Sequence, residues 1–432
     1  MGQAFVRPDP EGKRTYMSSD SLIRPLVNRD PTLSLYHLLE PDVLANPYPL
    51  YRRLRTEDPV HWDSYLHAWV VTRYKDVVTA LQDFSAARTP TPEQLRDLGL
   101  SELEPVAQVM VRQMLFRDAP AHSRLRGLAA SAFSPSKLQA LRGHIQEVTD
   151  NLIDAAIAKG RMDVIADLAD PLPATLTVEL MGVPVEDCAQ LKGWSKDFSE
   201  MLGNFQHNPG RTAVMLKTVE QMTDYFRRRM RAKGCPSQDG VVHAFMNAEL
   251  NGDRLTEEEI IANSIITLVG GLETTTNLIG NGLLSLLRNP CELQRLQANP
   301  LLYPSAIEEL LRYESPIQYT ARLAPADTDL GGKSIRRQQA VIAVAGAANR
   351  DPEHFRDPDR LDIARQDNRH LAFGWGAHFC FGAPLARLEG QIALSTIFRR
   401  LRNLALDSTP LVWRTNMGFR GLESLPVTFD PA

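Results

Sequence analysis

The strongest constraint on the fold is a long stretch without proline that begins at Thr256 and need not end before Pro290. It opens with Thr256-Glu257-Glu258-Glu259, a capping box in which Thr256 and Glu259 can each bond to the other's backbone N–H. About 33 residues at 1.5 Å each would make a helix of roughly 50 Å. Such a helix is long enough to cross a domain of this size.

The rest of the chain also favours helices over strands. Apolar residues three and four positions apart recur over residues 138–157, 213–230 and 385–401. Predicted strands are few: residues 69–72, the segments 322–330 and 333–344 joined by a tight turn at Gly331-Gly332, and a last pair near 414–429. The predicted class is therefore mainly α with small β-sheets.

Composition narrows the class of protein. The 432 residues have a formal net charge of −4 and no basic run with interleaved aromatics, which argues against a nucleic-acid binder. No linker, repeat or low-complexity tract divides the chain, so residues 36–432 are predicted to form one domain after a partly disordered N-terminal extension over residues 1–35. The first residues lack the apolar core of a secretion signal, and we expect no membrane anchor. Four widely separated cysteines argue against a disulfide framework and favour a cytoplasmic location.

One cysteine, Cys380, is flanked by Gly376 and Gly382 and follows His378 by two residues. A helix is predicted directly after it, and the positive end of that helix would lower the pKa of the thiol and favour an anionic metal ligand. Glycines have no Cβ, so the backbone there can lie close against a flat ligand. A single thiolate suits axial ligation of haem iron better than zinc, which needs three or four ligands. The alternative is an ordinary buried cysteine.

Inside the predicted long helix lies Gly270-Gly271-Leu272-Glu273-Thr274. Two adjacent glycines in mid-helix cost about 2 kcal/mol relative to alanines, so they indicate a close approach or a local opening of the helix. Glu273 and Thr274 form an acid–alcohol pair that could relay protons to a bound oxygen species. Simple helix packing with a polar edge explains these residues equally well.

Two further charged groupings are weak signals on their own. Glu309 and Arg312 are three residues apart and can pair on one helix face, and Arg360 is a candidate third member. His122 and Arg126 lie one helical turn apart and could bind an anionic ligand. A solvated helix face is the plainer interpretation of that pair.

Taken together, these residues resemble the soluble bacterial cytochromes P450 from about residue 40 to the end of the chain. The family's cysteine motif is matched by Phe373, Gly376, His378, Cys380 and Gly382. Its oxygen-activation motif is matched by Gly270, Gly271, Glu273 and Thr274, and its Glu-x-x-Arg motif by Glu309 and Arg312.

The resemblance implies a role for each motif. Cys380 would be the axial thiolate ligand of haem b iron, while Glu273 and Thr274 would deliver protons. The haem propionates would be bound by His122, Arg126, Arg322 and His378. A buried charge network beneath the haem would consist of Glu309, Arg312 and Arg360.

The implied activity is monooxygenation of an apolar small molecule, by hydroxylation or epoxidation, in secondary metabolism. No flavin or iron–sulfur segment is fused to the chain, so electrons from NAD(P)H would arrive through a separate ferredoxin and its reductase. Arg399, Arg400 and Arg402 are candidates for the docking patch, and a monomer is expected. The alternatives are a peroxide-driven peroxygenase, which would not need Glu273 and Thr274, and a non-catalytic haem-binding sensor or carrier.

By resemblance, the substrate cavity would be lined by residues 89–111, 198–206, 317–320 and 417–422. The last two segments contribute the substrate candidates Ile317, Gln318, Tyr319 and Phe419. Arg420 could bind a carboxylate, although a solvated arginine is the more common case in a turn. The mixed lining suggests a medium-to-large apolar molecule with a few polar groups, such as a polyketide, macrolide or terpenoid, free or bound to a carrier protein.

Overall fold

The computed structural model describes residues 32–133, 135–204, 209–232, 237–250 and 252–431. The predicted N-terminal extension therefore lies almost wholly outside the described residues, as do Gln206 and Cys235.

Helices dominate the described chain, as the apolar spacing predicts. In the first half they are α1 Pro41–Ala45, α2 Tyr48–Glu57, α3 Tyr74–Asp83, α4 Pro92–Asp97, α5 Glu104–Met110, α6 Ala121–Ala129, α7 Pro135–Ala140, α8 Arg142–Ile157, α9 Pro171–Met181, α10 Cys188–Gly203 and α11 Pro209–Arg231. The remainder are α12 Val241–Asn247, α13 Glu257–Leu287, α14 Pro290–Ala298, α15 Tyr303–Tyr313, α16 Ala345–Ala348 and α17 Ala383–Arg400.

The predicted long helix is α13, and its capping box is present. Thr256 Oγ1 accepts from the Glu259 N–H at 3.2 Å, and Glu259 Oε2 accepts from the Thr256 N–H at 3.0 Å. The helix runs for 31 residues and packs against α9, α10, α15 and α17. Its first half belongs to an apolar core shared with α9 to α12, and its second half to another shared with α8, α15 and α17. The polar residues 273–277 fall between these two cores.

The strands form small sheets. They are β1 Val60–Asp63, β2 Ala68–Val71, β3 Arg161–Asp163, β4 Glu249–Leu250, β5 Asp253–Arg254, β6 Thr320–Leu323, β7 Thr328–Leu330, β8 Lys333–Ile335, β9 Ala340–Ala343, β10 Leu401–Leu406 and β11 Pro426–Pro431. The largest sheet has the order β1-β2-β9-β6, with β2 and β9 parallel and the other pairs antiparallel. A three-stranded sheet, β10-β11-β3, and two hairpins complete the set.

The predicted class, mainly α with small sheets, is confirmed, but several boundaries differ. The last predicted pair near 414–429 is a single strand, β11, which pairs with β10 and β3. The helix predicted over 138–157 is two helices that meet at Leu141. The strand predicted over 322–330 is divided into β6 and β7, because Pro325 lies between them and has no N–H to donate. The tight turn at Gly331-Gly332 does join β7 to β8, with φ of 57° and 77°. The chain then leaves this hairpin, and β9 pairs with β2 and β6 instead.

Candidate active site

Cys380 lies in a loop that leads directly into α17. Its backbone N–H donates to the carbonyl of Phe373 at 2.8 Å, which closes the loop. Within the loop, Gly374 and Gly376 have φ of 74° and 68°, values that only glycine adopts without strain. A Cβ added to Gly382 would meet nothing within 4 Å, so the backbone beside the cysteine faces open space. The sequence therefore holds the thiol at a helix start next to room for a ligand.

The electrostatics of Cys380 differ from the sequence-based expectation. The residue is half-buried, and the protein packed around its sulfur raises the pKa of the thiol above its ordinary value. Backbone N–H groups of Gly382 and Ala383, together with Arg126 and Arg387, act in the opposite direction but do not outweigh burial. The expected lowering of the pKa by the helix start is present, but desolvation of the thiolate is the larger effect, so the net shift is upward.

Cationic side chains from distant segments come together beside the Cys380 loop. The rings of His122 and His378 are 4.0 Å apart between centroids. Burial and the nearby His122 and Arg322 lower the pKa of His378 to about 3, and burial lowers the pKa of Arg322 to about 10. Burial and Arg322 also lower the pKa of Arg88 to about 9. Among the described residues, the carboxylate of Asp118 acts to raise the pKa of Arg322 and of both histidines, which opposes these shifts.

This cationic group fits the haem that the resemblance implies. His122 Nε2 and Arg322 Nε are buried and have no hydrogen-bond partner in the described chain. Buried polar atoms are rarely left in that state, and a ligand with carboxylates would satisfy them. Elsewhere, no group of three or more His, Cys, Asp and Glu in the described residues is arranged to hold a metal ion. One thiol and a nearby anion-binding cluster are what a haem with two propionates requires.

Arg126 and Arg88 depart from the sequence-based list in opposite ways. Arg126 Nη2 donates to the Phe379 carbonyl at 2.7 Å, and its guanidinium lies 5.3 Å from the centre of the Phe381 ring, so it contacts the cysteine loop itself. Arg88 was not predicted. It lies in a loop before α4, stacks on Phe116 at 4.5 Å and joins the cationic group. No local pattern around Arg88 distinguishes it from a solvated arginine.

The two glycines of α13 have different surroundings. A Cβ on Gly271 would be 2.7 Å from Oγ1 of Thr177 in α9, so this glycine permits close helix packing. A Cβ on Gly270 would meet nothing within 4 Å. The helix is continuous here, and Thr274 Oγ1 donates to the Gly270 carbonyl at 2.8 Å. The close approach is confirmed for Gly271, the helix is not opened here, and Gly270 borders open space.

Glu273 is buried, with 8% of its surface exposed. Arg414 Nη1 donates to its Oε1 at 3.2 Å, while Oε2 has no partner in the described chain. Burial raises the pKa of this carboxyl, and Arg414 and Ser199 act to lower it. The arrangement leaves one carboxylate oxygen fixed and the other available.

The predicted charge network exists, but its third arginine is wrong. Arg312 makes two bonds of 2.8 Å to Glu309, and both side chains are fully buried. Arg365 Nε supplies the second cation, 3.0 Å from Glu309 Oε2, and Asn368 also donates to that oxygen. Arg360 is exposed and contributes only its backbone carbonyl, which accepts from Arg312 and Arg365.

A cavity of about 1420 Å³ lies on the Glu273 side of α13. Its apolar lining comes mainly from α4, α5, α10 and α11, and includes Leu95, Leu103, Val106, Met110, Phe116, Met201, Leu202, Met215 and Leu272. Polar groups at its wall include Arg88, Glu200, Asn204, Arg211 and Arg414. The predicted lining segments 89–111 and 198–206 both contribute to this wall.

The two later lining segments do not contribute to the described wall. Tyr319 donates through its hydroxyl to the Gly203 carbonyl at 2.7 Å, and Gln318 Nε2 donates to the Ser315 carbonyl at 2.7 Å. Ile317 and Phe419 pair in an isolated β-bridge. Gln318 and Tyr319 are held by protein contacts, the bridge between Ile317 and Phe419 is a backbone contact, and none of the four lines this cavity, so their contact with substrate stays a prediction.

Arg420 is neither a solvated arginine nor a group on the cavity wall. It is 5% exposed, with its guanidinium 3.6 Å from the centre of the Trp413 ring. Its side chain donates to Glu314 at 2.7 Å and to the carbonyls of Leu44 and Ala45. It therefore ties residues 413–422, the C-terminal turn, to α1 and α15. The carboxylate that it binds is that of Glu314 rather than a ligand's, and the solvated interpretation is wrong.

The basic residues at the end of α17 are far from Cys380. The helix has 18 residues, so its last turn lies roughly 27 Å from its start. There Arg399 and Arg400 pair with Asp150, and Arg400 also pairs with Asp154. A hollow of about 520 Å³ lies next to the cysteine loop itself, lined by Trp375, Gly376, Phe379, Arg369 and Arg387 among others. This hollow, rather than the arginine cluster, is the surface beside the thiol.

None of the helices in the described segments is both long and apolar enough to cross a membrane.

Comparison with known proteins agrees with this geometry. The Cytochrome P450 family model matches residues 68–416. The chain is 39% identical over 392 residues to the biotin biosynthesis cytochrome P450 of Bacillus subtilis (strain 168), covering 90% of this chain and 98% of the relative. It is 39% identical over 399 residues to the cytochrome P450 monooxygenase PikC of Streptomyces venezuelae, covering 89% and 92%. Its fold is similar to a crystal structure of P450BioI in complex with an acyl carrier protein ligated to hexadec-9Z-enoic acid, with a TM-score of 0.83, 36% identity and coverage of 90% and 99%.

Proposed function

This chain belongs to the cytochrome P450 family, and from that premise we propose that Cys380 binds the iron of haem b through its thiolate. The enzyme is a monooxygenase that inserts one atom of O2 into an apolar small molecule and reduces the other atom to water. The balance for hydroxylation is R–H + O2 + 2 e⁻ + 2 H⁺ → R–OH + H2O. The chain must therefore hold the haem, exclude bulk water and supply two protons.

The observation that carries the cofactor assignment is one thiol next to a group of basic side chains in which the buried His122 Nε2 and Arg322 Nε have no hydrogen-bond partner among the described residues. Cys380 supplies the single protein ligand that haem iron needs on one side. His122, Arg322 and His378, joined by Arg88, supply the charge to neutralise two propionates. Binding would return the depressed pKa values of these side chains toward their ordinary range. Arg126 would support the cysteine loop rather than reach a propionate first.

When bound, haem supplies the oxygen activation and electron transfer that no side chain provides. The part assigned to Glu273 and Thr274 is proton delivery. Glu273 Oε2 has no hydrogen-bond partner among the described residues and can pass a proton on, while the Thr274 hydroxyl can both donate and accept. The apolar wall contributed by α4, α5, α10 and α11 would keep bulk water from the reacting carbon.

Electrons would come from NAD(P)H through a ferredoxin and its reductase, as the resemblance implies. The hollow beside Cys380 gives such a partner a short approach to the thiolate. Phe379 is 38% exposed at this surface. Arg387 is paired there with Glu308, so Arg369 supplies the remaining positive charge of the lining. Positive charge of this kind favours an acidic partner.

The substrate class follows from the cavity. A volume of about 1420 Å³ exceeds what a small hydrocarbon needs, and the mixture of leucine, methionine and phenylalanine with a few polar groups suits a large apolar molecule. The named functions of two similar proteins, in polyketide and in biotin biosynthesis, support a polyketide-like or acyl substrate. The crystal structure with an acyl carrier protein supports delivery on a carrier.

The test combines two optical measurements on purified haem-loaded protein. Reduction under carbon monoxide should give the red-shifted band of thiolate-ligated haem. Cys380→Ser should lose that band, whereas Cys291→Ser, which changes an exposed cysteine, should keep it. Titration with polyketides, macrolides, terpenoids, steroids and fatty acids, free and carrier-bound, should then shift the ferric protein to high spin for one class.

A thiolate band that persists in Cys380→Ser, or its absence from correctly folded, haem-loaded wild-type protein, would overturn the assignment of Cys380. Conversion of the high-spin ligand to an oxygenated product, with consumption of NADH in the presence of ferredoxin and reductase, is the expected result of the final step.

A further inference from the structure

Asn263 is a polar side chain in an apolar part of α13. It is 2% exposed, and Ile261 and Ile265, two residues before and after it, belong to the core that α13 shares with α9 to α12. Asparagine is a poor helix former, and burying an amide is unfavourable unless its donors and its acceptor are paired. An asparagine at such a position is therefore expected to make hydrogen bonds to a neighbouring part of the chain.

The Asn263 amide pairs with two backbone groups of the segment that follows α5. Its Oδ1 accepts from the Met114 N–H at 2.9 Å, and its Nδ2 donates to the Arg112 carbonyl at 3.1 Å. The Nδ2 also donates to the Glu259 carbonyl, in the preceding turn of α13, at 2.8 Å. Because a backbone N–H only donates and a carbonyl only accepts, a single orientation of the amide satisfies all three groups. The side chain is therefore fixed on its own helix and holds the segment opposite.

The wall segment, residues 110–116, is bonded to α13 through Asn263. The N–H groups of this segment as far as Gln113 donate back to carbonyls of α5. Gln113 is itself fully buried, yet neither atom of its amide has a hydrogen-bond partner in the described chain. The Arg112 carbonyl and the Met114 N–H are thus the groups that connect the wall segment to α13. An apolar residue in place of Asn263 would leave both unpaired, so the segment should move to regain partners.

Both ends of the wall segment line the large cavity. Met110 and Phe116 contribute to its apolar wall, and Phe116 is 3% exposed. The guanidinium of Arg88, another lining residue, lies 4.5 Å from the centre of the Phe116 ring. The short helical turn that carries Phe116 begins at Met114, whose N–H is held by Asn263. Asn263 is not itself a lining residue, so its effect on a bound molecule would pass through the wall segment.

We propose that Asn263 is a positioning residue that determines how closely the cavity packs on the apolar body of a substrate. By holding the wall segment on α13, it sets the positions of Met110 and Phe116 in the cavity wall. The inference rests on the proposed monooxygenase function and extends it to a residue that selects substrates by shape without touching them. Asn263 has no part in haem binding or in proton delivery, so both should be retained when it is changed.

Imidazoles with alkyl tails of increasing length separate contact with the wall from binding at the iron. The free imidazole nitrogen binds ferric haem iron and shifts the Soret band, while the tail extends into the apolar cavity. Each methylene group that the wall buries should tighten binding about fourfold. The dissociation constants of imidazole, N-butylimidazole and N-dodecylimidazole therefore report on the iron site and on the wall separately. Loss of haem or general destabilisation would lower the amplitude of the shift for all these ligands alike.

The experiment compares Asn263→Ala and Asn263→Asp with Asn289→Ala. Asn289 follows the other end of α13, and its Nδ2 donates to the Ser285 carbonyl of the preceding turn at 2.8 Å. Asn263→Ala should weaken binding of N-dodecylimidazole by the equivalent of about two methylene groups, roughly fifteenfold, and leave imidazole unchanged. Asn263→Asp keeps the acceptor for the Met114 N–H but loses both amide donors, so it should be intermediate. Asn289→Ala should match wild type with every ligand.

Two further measurements test whether Asn263 acts through the wall segment. Hydrogen exchange of the Met114 amide should be faster in Asn263→Ala than in wild type, whereas Asn289→Ala should not change it. Phe116→Leu should also weaken binding of N-dodecylimidazole. Adding Asn263→Ala to Phe116→Leu should then have a smaller effect than Asn263→Ala alone, because changes that act through the same contact are not additive.

Equal dependence on tail length in wild type and in both Asn263 variants, with haem bound in each, would overturn the inference. Additive effects of Asn263→Ala and Phe116→Leu would overturn it as well, since Asn263 would then not act through Phe116. Should Asn263→Ala fail to bind haem, Asn263→Asp provides the same comparison. Failure of the proposed function has a different signature, because wild-type protein would then lack the thiolate band whatever the Asn263 variants do.

Discussion

Among single residues, Glu389 is one whose ionisation opposes folding. It lies in α17 between buried neighbours, is 1% exposed, and its Oε2 has no partner in the described chain. Burial raises the pKa of its carboxyl from 4.5 to about 8. The folded protein therefore binds a proton that the unfolded chain releases between these two values, and this contribution to stability is lost as pH rises through that window.

Glu389→Gln should remove this loss of stability at high pH. At pH 8.5 the variant should be more stable than wild type by several kcal/mol, up to about 5 for a shift of this size at about 1.4 kcal/mol per pKa unit. At pH 5 the two should differ little, because the wild-type carboxyl is then protonated when folded. Urea unfolding at both pH values measures the difference, and Glu102→Gln, at an exposed position, is the control. An equal effect of Glu389→Gln at both pH values would contradict the argument.

At the scale of elements, the close contact between α13 and α9 explains why Gly271, of the adjacent glycines Gly270 and Gly271, must lack a side chain. A Cβ at Gly271 would lie 2.7 Å from Oγ1 and 2.9 Å from Cγ2 of Thr177, a short β-branched side chain that has little room to move. Gly271→Ala should therefore push the helices apart and cost about 1–3 kcal/mol of unfolding free energy. Gly270→Ala meets no protein atom and should gain about 1 kcal/mol from helix propensity.

Thermal unfolding separates the two variants, and the Soret absorbance per protein gives an independent readout. We place the bound haem in the open space beside Gly270, so Gly270→Ala should lower haem content while keeping the protein folded. Equal stability losses in both variants would show that the close contact with Thr177 does not distinguish Gly271 from Gly270. Thr177→Ser with Gly271→Ala should recover part of the loss, since it removes a methyl group that lies close to the new Cβ.

Individual elements also show which parts of the fold and of the site could be predicted from the sequence. The start of α13 and the cysteine loop were predicted correctly. A capping box, a proline and glycines with positive φ each determine the backbone conformation of only the few residues around them. Arg88, Arg365 and Arg414 were missed, since each acts on a partner far away in the chain. Arg360 and Arg365 lie in one loop five residues apart, and nothing in their spacing indicates which one turns inward.

At the scale of the whole molecule, the ion-pair network at Glu309 holds in place a long segment that has almost no helix or strand. Between α16 and α17 the chain runs through residues 349–382 with only a short turn of helix at 376–378, yet this segment carries the cysteine loop. Arg312 donates to the carbonyls of Asn349 and Pro358, and Arg365 to that of Arg356. Glu309 binds both arginines, so one buried carboxylate fixes the path of the chain toward Cys380.

This arrangement makes opposite predictions for two neighbouring arginines. Arg365→Gln removes a 3.0 Å charge-assisted bond to a fully buried carboxylate and should cost about 1.5–3 kcal/mol. Arg360→Gln keeps the backbone carbonyl that the network uses, so it should change stability by less than about 0.5 kcal/mol. Because the loop leads to Cys380, haem should also dissociate faster from Arg365→Gln, which transfer of haem to apomyoglobin would measure. A larger effect at Arg360 than at Arg365 in either measurement would mean that the side chain at 360, and not the one at 365, completes the network.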